Sequence, residues 1–475
     1  MRFNFTLILS LFCLSTNLLA DAPPNIVFIE VDDLNYVYAS PWGSTTAQTP
    51  ALDRLAREGF VFDHAMCQGM MCGPSRNSLI CGKYPHQLGF YQNSDMRKLP
   101  SDSWLLPQAM KQAGYFTAWI GKSHLKPYFS GKKDGDTFQP FFGFDHELHT
   151  LGRGLVGDED GDGGDNAENP YLKFLSSKGL LEKFKSEVEA KRPSTLEDNE
   201  YLDGWFTQNA QQFIANYQSD KPLFLWVNYS VPHDPHDVPE AYHAPYATTV
   251  MPGQSQPVNF THPASLIERT KSFRNDRVAD EFQRGFHANI AFMDTQVRLV
   301  LESLERKKML ENTWIIFFSD HGAMSGSHGL IHKHTLFRPV TQPSLIVRAP
   351  GGVGGGKRVV QPVELLDLLP TCLDIAHADT QQSPNGVSLI PLLRGHSIEK
   401  PYVFGEIEKW MVVSDGKYRL IQSVDGSASL LFDEIADPEN LTNISSQEPL
   451  IAKRLGAAID DWLARTGPRL PPKSN

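Results

Sequence analysis

Apolar residues along this chain gather into short runs rich in β-branched and aromatic side chains. The runs are "NIVFIEV" (25–31), "FTAWI" (116–120), "LFLWVNY" (223–229), "WIIFFS" (314–319) and "SLIVRAP" (344–350). Each is strand-length, and near-continuous apolarity is what a strand covered on both faces shows. Between the third and fourth runs, Ile290, Met293, Val297, Leu301 and Leu304 recur at helical spacing, which predicts an amphipathic helix. Parallel strands need such helical crossovers, so the pattern predicts an α/β fold with a large, mainly parallel sheet sandwiched by helices. Near the end, "WMVVSDGKYRLIQ" and "SLLFDEI" predict short antiparallel strands with Asp-Gly turns, and "LIAKRLGAAIDDWLAR" predicts a closing helix. The expected division is a large α/β domain over 21–390 and a smaller antiparallel sheet plus helix over 391–475.

In open α/β sheets, ligand sites gather beyond the carboxyl ends of the strands, so the residues that follow each run carry the chemistry. Asp32 and Asp33 follow the first run, Lys122 and His124 the second, His233 the third, and Asp320 and His321 the fourth. Adjacent side chains on a regular strand point to opposite faces. Asp32 and Asp33 can therefore share a target only where the strand gives way to a loop, whereas Lys122 and His124 share a face. Three aspartates with few soft ligands favour a hard, oxygen-seeking cation, Ca²⁺ or Mg²⁺, over zinc. Arg76, Lys122, Lys333, His124 and His233 suit a doubly charged oxyanion held against that cation. This set predicts metal-assisted cleavage of a sulfate or phosphate ester.

Composition narrows the setting. The chain has 475 residues and a formal net charge of −11, spread along its length, which makes nucleic acid a poor partner. An anionic small substrate is compatible with that total, because charges beyond a Debye length of about 8 Å are largely screened. Residues 1–20, "MRFNFTLILSLFCLSTNLLA", have the layout of a secretory signal peptide, which predicts a secreted or periplasmic protein. No later run has the eighteen or so apolar residues of a membrane span. Beyond residue 20, Cys67, Cys72, Cys81 and Cys372 form no disulfide framework. Cys67 and Cys81 could pair, but free buried thiols are the expectation. Cys72 is different: Gly73 and Pro74 beside it suggest a turn, and packing alone does not ask for a thiol there.

The stretch "MCGPSRNSLICGKYP" resembles the signature of the formylglycine-dependent sulfatases, Cys-x-Pro-Ser-Arg followed by a Gly, through Cys72, Pro74, Ser75, Arg76 and Gly82. "NIVFIEVDDL", "IGKSHL", "VPHDPH" and "SDHGAMSGSHGLIHKHTLF" are similar to further family segments, and the resemblance covers nearly all of the mature chain. It implies an alkaline phosphatase-like fold and oxidation of Cys72 to formylglycine by a maturation enzyme. The hydrated aldehyde carries two hydroxyls on one carbon: one attacks sulfur, and the other expels sulfate as the carbonyl re-forms. By the same resemblance, Asp32, Asp33, Asp320 and His321, with the converted Cys72, hold Ca²⁺. Arg76 and Lys122 bind formylglycine or sulfate, His124 takes the proton on elimination, and His233 or Lys333 protonates the leaving alcohol. A sulfated carbohydrate is the implied substrate, with Lys122, His233, Lys333 and His328 as contacts.

Two positions depart from the common family pattern. His321 stands where many sulfatases have Asn, as in the iduronate sulfatase branch. Cys81 replaces the usual Thr, and Lys83 replaces a common Arg, in the stretch that the maturation enzyme reads. Competing readings are a phosphonate monoester or phosphodiester hydrolase of the same superfamily and a carbohydrate-binding relative without turnover. Weaker signals include "GDEDGDGGDN" (157–166), whose Asp158, Asp160, Asp162 and Gly163 match part of a calcium loop while Asn169 stands at its twelfth position. A mobile acidic loop is the plainer expectation. His236, His332 and His334 lie near the proposed site in sequence, and Trp42 and Trp205 could stack on a sugar but fit a core equally.

Overall fold

The computed structural model describes residues 23–95, 104–124, 141–150, 169–251, 257–273, 275–378 and 384–471. The expected signal peptide and the acidic stretch 157–166 lie outside the described residues. Eight strands form the main sheet: β1 (Asn25–Asp32), β2 (Phe60–Phe62), β3 (Phe116–Lys122), β4 (His146–Thr150), β5 (Leu223–Pro232), β6 (Thr313–Ser319), β7 (Leu345–Arg348) and β8 (Lys357–Val359). Their order is β8-β2-β7-β6-β1-β5-β3-β4. All neighbours run parallel except that β7 is antiparallel to both β6 and β2. All five apolar runs are strands. The short β2, β4 and β8 escape the periodicity argument because they offer too few residues to show a pattern.

β1 lies at the centre with every residue buried. On one face, Phe28 packs edge-to-face against Phe224, Trp226 and Phe318 from the flanking strands. On the other, Val27, Ile29 and Val31 join a core that includes helices α3 (Pro170–Ser177), α4 (Leu181–Glu189), α5 (Leu202–Asn216) and α6 (Asp276–Arg306). Ile290, Met293, Val297, Leu301 and Leu304 are all buried along α6, so the helical spacing marks its packed face. Helix α1 (Pro50–Glu58) takes its first backbone donors, Ala51 and Leu52 N–H, to Asp294 of α6 at 2.8 and 3.0 Å.

After β8 the chain forms an antiparallel four-stranded sheet, β9 (Val403–Ile407), β10 (Trp410–Ser414), β11 (Tyr418–Ser423) and β12 (Ser429–Asp433). Gly416 and Gly426, the glycines of the two Asp-Gly turns, have φ of 86° and 71°, a region open mainly to glycine. The closing helix, Pro449–Thr466, packs Leu455, Ile459 and Trp462 into a separate apolar cluster with this sheet. Buried Arg419 of β11 joins the small sheet to the helix Arg338–Thr341 that precedes β7: its Nε binds Glu434 at 2.8 Å and its Nη1 donates to Thr341 Oγ1 at 2.7 Å.

Candidate active site

The carboxyl ends of β1, β3, β5 and β6 meet at one end of the main sheet. β1 ends at Asp32, and Asp33 beyond it adopts φ of 70°, so the backbone turns as the strand stops. That change brings both aspartates to one place, as the sharing of a target requires. Across β1 and β5, Glu30 pairs with Asn228 but Asp32 pairs with Pro232, two steps along one strand against four along the other. The irregularity falls just before His233. In β3, a Cβ on Gly121 would lie 1.8 Å from Asn228 O. Only glycine allows β3 that approach, which sets Lys122 beside the ends of β1 and β5.

Cys72 is the first residue of helix α2 (Cys72–Cys81), fully buried, and not a turn residue. Gly73 and Pro74 occupy its first turn, where a missing N–H costs nothing. Gly82 closes α2 in the left-handed region, φ 65°, and a Cβ there would meet Pro384 Cβ at 2.8 Å. Cys72 Sγ lies 3.3 Å from Asp32 Oδ1, 3.2 Å from Lys333 Nζ and 3.4 Å from His321 Nε2. Lys333 Nζ is also 3.0 Å from Asp33 Oδ1. His321 Nδ1 is 3.1 Å from Asp33 Oδ1. Lys122 Nζ forms a short ion pair with Asp32. Arg76, one turn along α2, donates from Nε to Asp320 Oδ2 at 2.9 Å and lies 3.4 Å from Asp32 through Nη2. Ser75 Oγ donates to the Asp320 carbonyl at 2.6 Å, tying α2 to the end of β6.

Charge is concentrated here on buried side chains. Burial opposes ionisation of Asp32 and Asp33. Lys122 and Lys333 around the first, and Lys333, His233 and His321 around the second, hold both well below the usual carboxylate range. Asp320 goes the other way, up to about 6, through burial and then the neighbouring Asp32 charge. Burial and Asp32 also oppose ionisation of Cys72, yet Lys333, Lys122 and His321 outweigh them and lower the thiol well below its ordinary value. Carboxylates crowded enough to repel one another are what a bound cation relieves. One ligand atom each from Asp32, Cys72, Asp320 and His321 lies within 4.8 Å of the others, as does a second group of Asp32, Asp33 and His233.

His233 sits at the rim, its side chain 28% exposed, with Nε2 3.7 Å from Asp33 and Nδ1 3.0 Å from Asp234. His124 lies two positions past Lys122, buried, with φ of 43°. His328 has one ring nitrogen 3.1 Å from His262 Nε2 and the other 2.7 Å from Glu439 O, and its ring packs on Phe337. A substrate hydrogen bond from His328 would have to displace one of those partners. His236 packs against Phe282 and Phe286. Trp205 is core among Tyr171, Phe174 and Phe206, and Trp42 donates to Phe62 O at 3.0 Å. Asn169 caps helix Pro170–Ser177 by accepting from Tyr171 and Leu172 N–H. Cys67, Cys72, Cys81 and Cys372 are all free and buried.

Sequence reasoning missed Glu30. It is fully buried beneath the site, where its Oε1 lies 3.3 Å from Arg76 and its Oε2 accepts from Trp226 Nε1 and Asn228 Nδ2 at 2.7 and 2.5 Å. Asn228 in turn accepts from Arg76 Nη1 at 2.7 Å. The signal was present: a charge inside a doubly covered apolar run must find a partner.

Comparison with known proteins decides the family. The family model described as Sulfatase matches residues 24–378, well over half of the chain. The chain belongs to the sulfatase family. A second model, N-sulphoglucosamine sulphohydrolase, C-terminal, matches residues 326–461. This sulfatase hydrolyses sulfuric esters, as its similarity to named sulfatases also supports. It is 27% identical to a sulfatase of Formosa agariphila over 88% of this chain and 82% of that protein. It is 26% identical to an N-acetylglucosamine-6-O-sulfatase of Bacteroides thetaiotaomicron over 78% and 71% of the two chains. Its fold is shared with the phosphonate monoester hydrolase of Agrobacterium radiobacter, with a TM-score of 0.79 at 19% identity over 94% and 96% of the chains. The alkaline phosphatase-like architecture expected of the family is the one observed.

Proposed function

We propose that this sulfatase removes O-sulfate groups from a sulfated carbohydrate, with Cys72 converted to formylglycine and one Ca²⁺ held by Asp32, Asp33, Asp320 and His321. The observation that carries the reading is the convergence on Cys72 Sγ of Lys333, His321 and Asp32, each within 3.4 Å and from a different strand end or loop. A donor set of three carboxylates and one imidazole supports a hard cation. When bound, the cation would polarise the sulfate oxygens, and the hydrated aldehyde would supply the attacking hydroxyl. Similarity to the N-acetylglucosamine-6-O-sulfatase supports a sugar substrate.

Each protein group has a distinct task. Lys333 and Lys122 flank Cys72 with positive charge, which favours an approaching sulfate and the charge that grows on its oxygens. Arg76, clamped by Glu30, Asp320 and Asn228, keeps its guanidinium fixed beneath the nucleophile. His233 protonates the leaving alcohol, and Lys333 does not. Lys333 is enclosed between Asp33 and Cys72, and these charges hold its ammonium well above its ordinary value against the effect of burial. His233 is at the rim, where the leaving group departs. Its Nδ1 lies 3.0 Å from Asp234, and an imidazole's ordinary titration near neutrality suits it to give a proton. His124 takes the proton released on sulfate elimination.

Among the described residues no helix is long and apolar enough to cross a membrane. The leader-like stretch 1–20 supports export to the periplasm or beyond, and conversion of Cys72 requires a maturation enzyme as a partner. Mass spectrometry of the Cys72 peptide, with kinetics on defined sulfated oligosaccharides and on paired aryl sulfate and aryl phosphodiester substrates, tests the reading. The expected peptide has lost one sulfur and two hydrogens and gained one oxygen, and sulfate esters are preferred. An unmodified cysteine in active protein, or preference for the phosphodiester, overturns it.

A further inference from the structure

His233 lies on a loop that leaves β5 at Pro232, and the hydrogen bond from His233 N–H to Ser230 O, 3.1 Å, is local to its start. The seat for this loop is helix α6. Asn289, fully buried midway along α6, places its Nδ2 3.2 Å from Pro232 O, 3.1 Å from His233 O and 3.4 Å from Pro235 O. An amide has two N–H hydrogens, so three carbonyls within four residues of the loop share one donor group. Asn289 Oδ1 is buried without a hydrogen-bond partner. A leucine at the same position would bury no polar atom. The reason for an asparagine must therefore lie in what Nδ2 does. One turn earlier, a Cβ on Gly285 would sit 2.6 Å from His236 Cβ. α6 thus offers the loop a donor at 289 for the carbonyls of 232, 233 and 235 and a notch at 285 for His236.

We propose that Asn289 is a positioning residue that holds the carbonyls around His233 and so aims its imidazole at the leaving-group oxygen. The proposal rests on the reading of His233 as proton donor. A displacement of about 1 Å in a reacting group can cost on the order of a hundredfold in rate. Proton donation matters most when the leaving alcohol is a poor one, as in a sugar sulfate, and little for 4-nitrophenyl sulfate.

The test is a comparison of the two esters in Asn289→Ala, Asn289→Asp and Asn289→Ser, with far-UV circular dichroism to follow folding. In Asn289→Ala, kcat on the sugar sulfate should fall on the order of tenfold to a hundredfold while KM changes little and 4-nitrophenyl sulfate loses only a few-fold. Asn289→Asp keeps the shape but loses the donor, and should match Ala. Asn289→Ser keeps one donor and should recover part of the sugar-sulfate rate. The double variant Asn289→Ala/His233→Ala should be no slower on sugar sulfate than His233→Ala alone, since both act through one group. Equal loss on both esters, no recovery with Ser, or additive losses in the double variant overturn the proposal. If His233→Ala itself slows both esters equally, the proton-donor reading falls and the aiming role with it. A selective loss in His233→Ala beside a uniform loss in Asn289→Ala overturns the seat alone.

Discussion

Lys333 Nζ lies 3.2 Å from Cys72 Sγ although 261 positions separate the two residues. The lysine enters the site on a short segment after Leu330–Ile331, and its other neighbour, Asp33 Oδ1 at 3.0 Å, comes from the end of β1. An ammonium held this close to the nucleophile acts on charge that grows during reaction. Lys333→Ala is expected to lower kcat/KM on an aryl sulfate by about 10²–10³, as loss of one such donor does. The melting temperature should move little, because Asp33 keeps His321 and His233 as partners. Steady-state kinetics beside thermal melting checks this; an unaltered rate removes Lys333 from the site.

Asp320 stands between Arg76 and the other carboxylates, and its ionisation is opposed first by burial and then by Asp32. Asp320→Asn removes one unit of negative charge from the cation site. Calcium affinity, read by calorimetric titration of chelator-treated protein, should weaken by more than about a hundredfold, beyond the loss typical of an outer-sphere partner. Turnover of the parent should stop with chelator and return with added Ca²⁺. Unchanged affinity in the variant rejects its ligand role.

Glu30 is pushed up to about 8, first by burial, with the Arg76 charge working against it and Asp320 and Asp32 adding to it. The protonated acid is closely mimicked by glutamine, which still accepts from Trp226 and Asn228. Glu30→Gln should therefore be tolerated far better than Glu30→Leu, which strands both donors at about 1–3 kcal/mol each. Urea denaturation of the two variants measures the difference, and equal stabilities would show that the hydrogen bonds to Glu30 carry no weight.

Glu434, just beyond β12, pairs with Arg419 of the small sheet at 2.8 Å and with Arg338, on the helix Arg338–Thr341 that precedes β7, at 3.7 Å. Burial opposes its charge, but the two arginines outweigh burial and lower it from 4.5 to about 2. A depressed carboxyl contributes stability that is complete above its unfolded value and lost as pH falls toward the folded one. Glu434→Gln should be less stable than the parent at neutral pH by on the order of 2–3 kcal/mol. The gap should narrow below about 4.5 and close near 2. Urea midpoints across this range test it; a gap that does not change with pH would mean that the ion pairs are not its source.

Much of the site was legible because strand-end residues are marked twice, by the apolar run before them and by the polar types that follow. Asp32, Lys122, His233 and Asp320 each come directly after or at the close of such a run. Glu30 and Asn228 were overlooked because both sit inside runs that read as core, and only their pairing across β1 and β5 reveals a polar layer beneath the site. Asn289 has a similar history: on α6 it falls beside the apolar stripe, and nothing local says that three carbonyls of a loop more than fifty positions earlier need a donor. His328 differs again: its left-handed φ of 57° and its contacts with His262 and Glu439 engage both ring nitrogens, and nothing local in the sequence announces those partners.

Periodicity and residue type determined the α/β class, the central strands, the packed face of α6 and which ionisable groups stand at strand ends, because these depend on interactions within a few residues. Strand order, the antiparallel β7, the approach permitted by Gly121 and the meeting of Lys333 with Cys72 were decided only by the folded chain. They depend on contacts between segments tens to hundreds of positions apart, and no local pattern of hydrophobicity carries the free energy of a contact between distant segments.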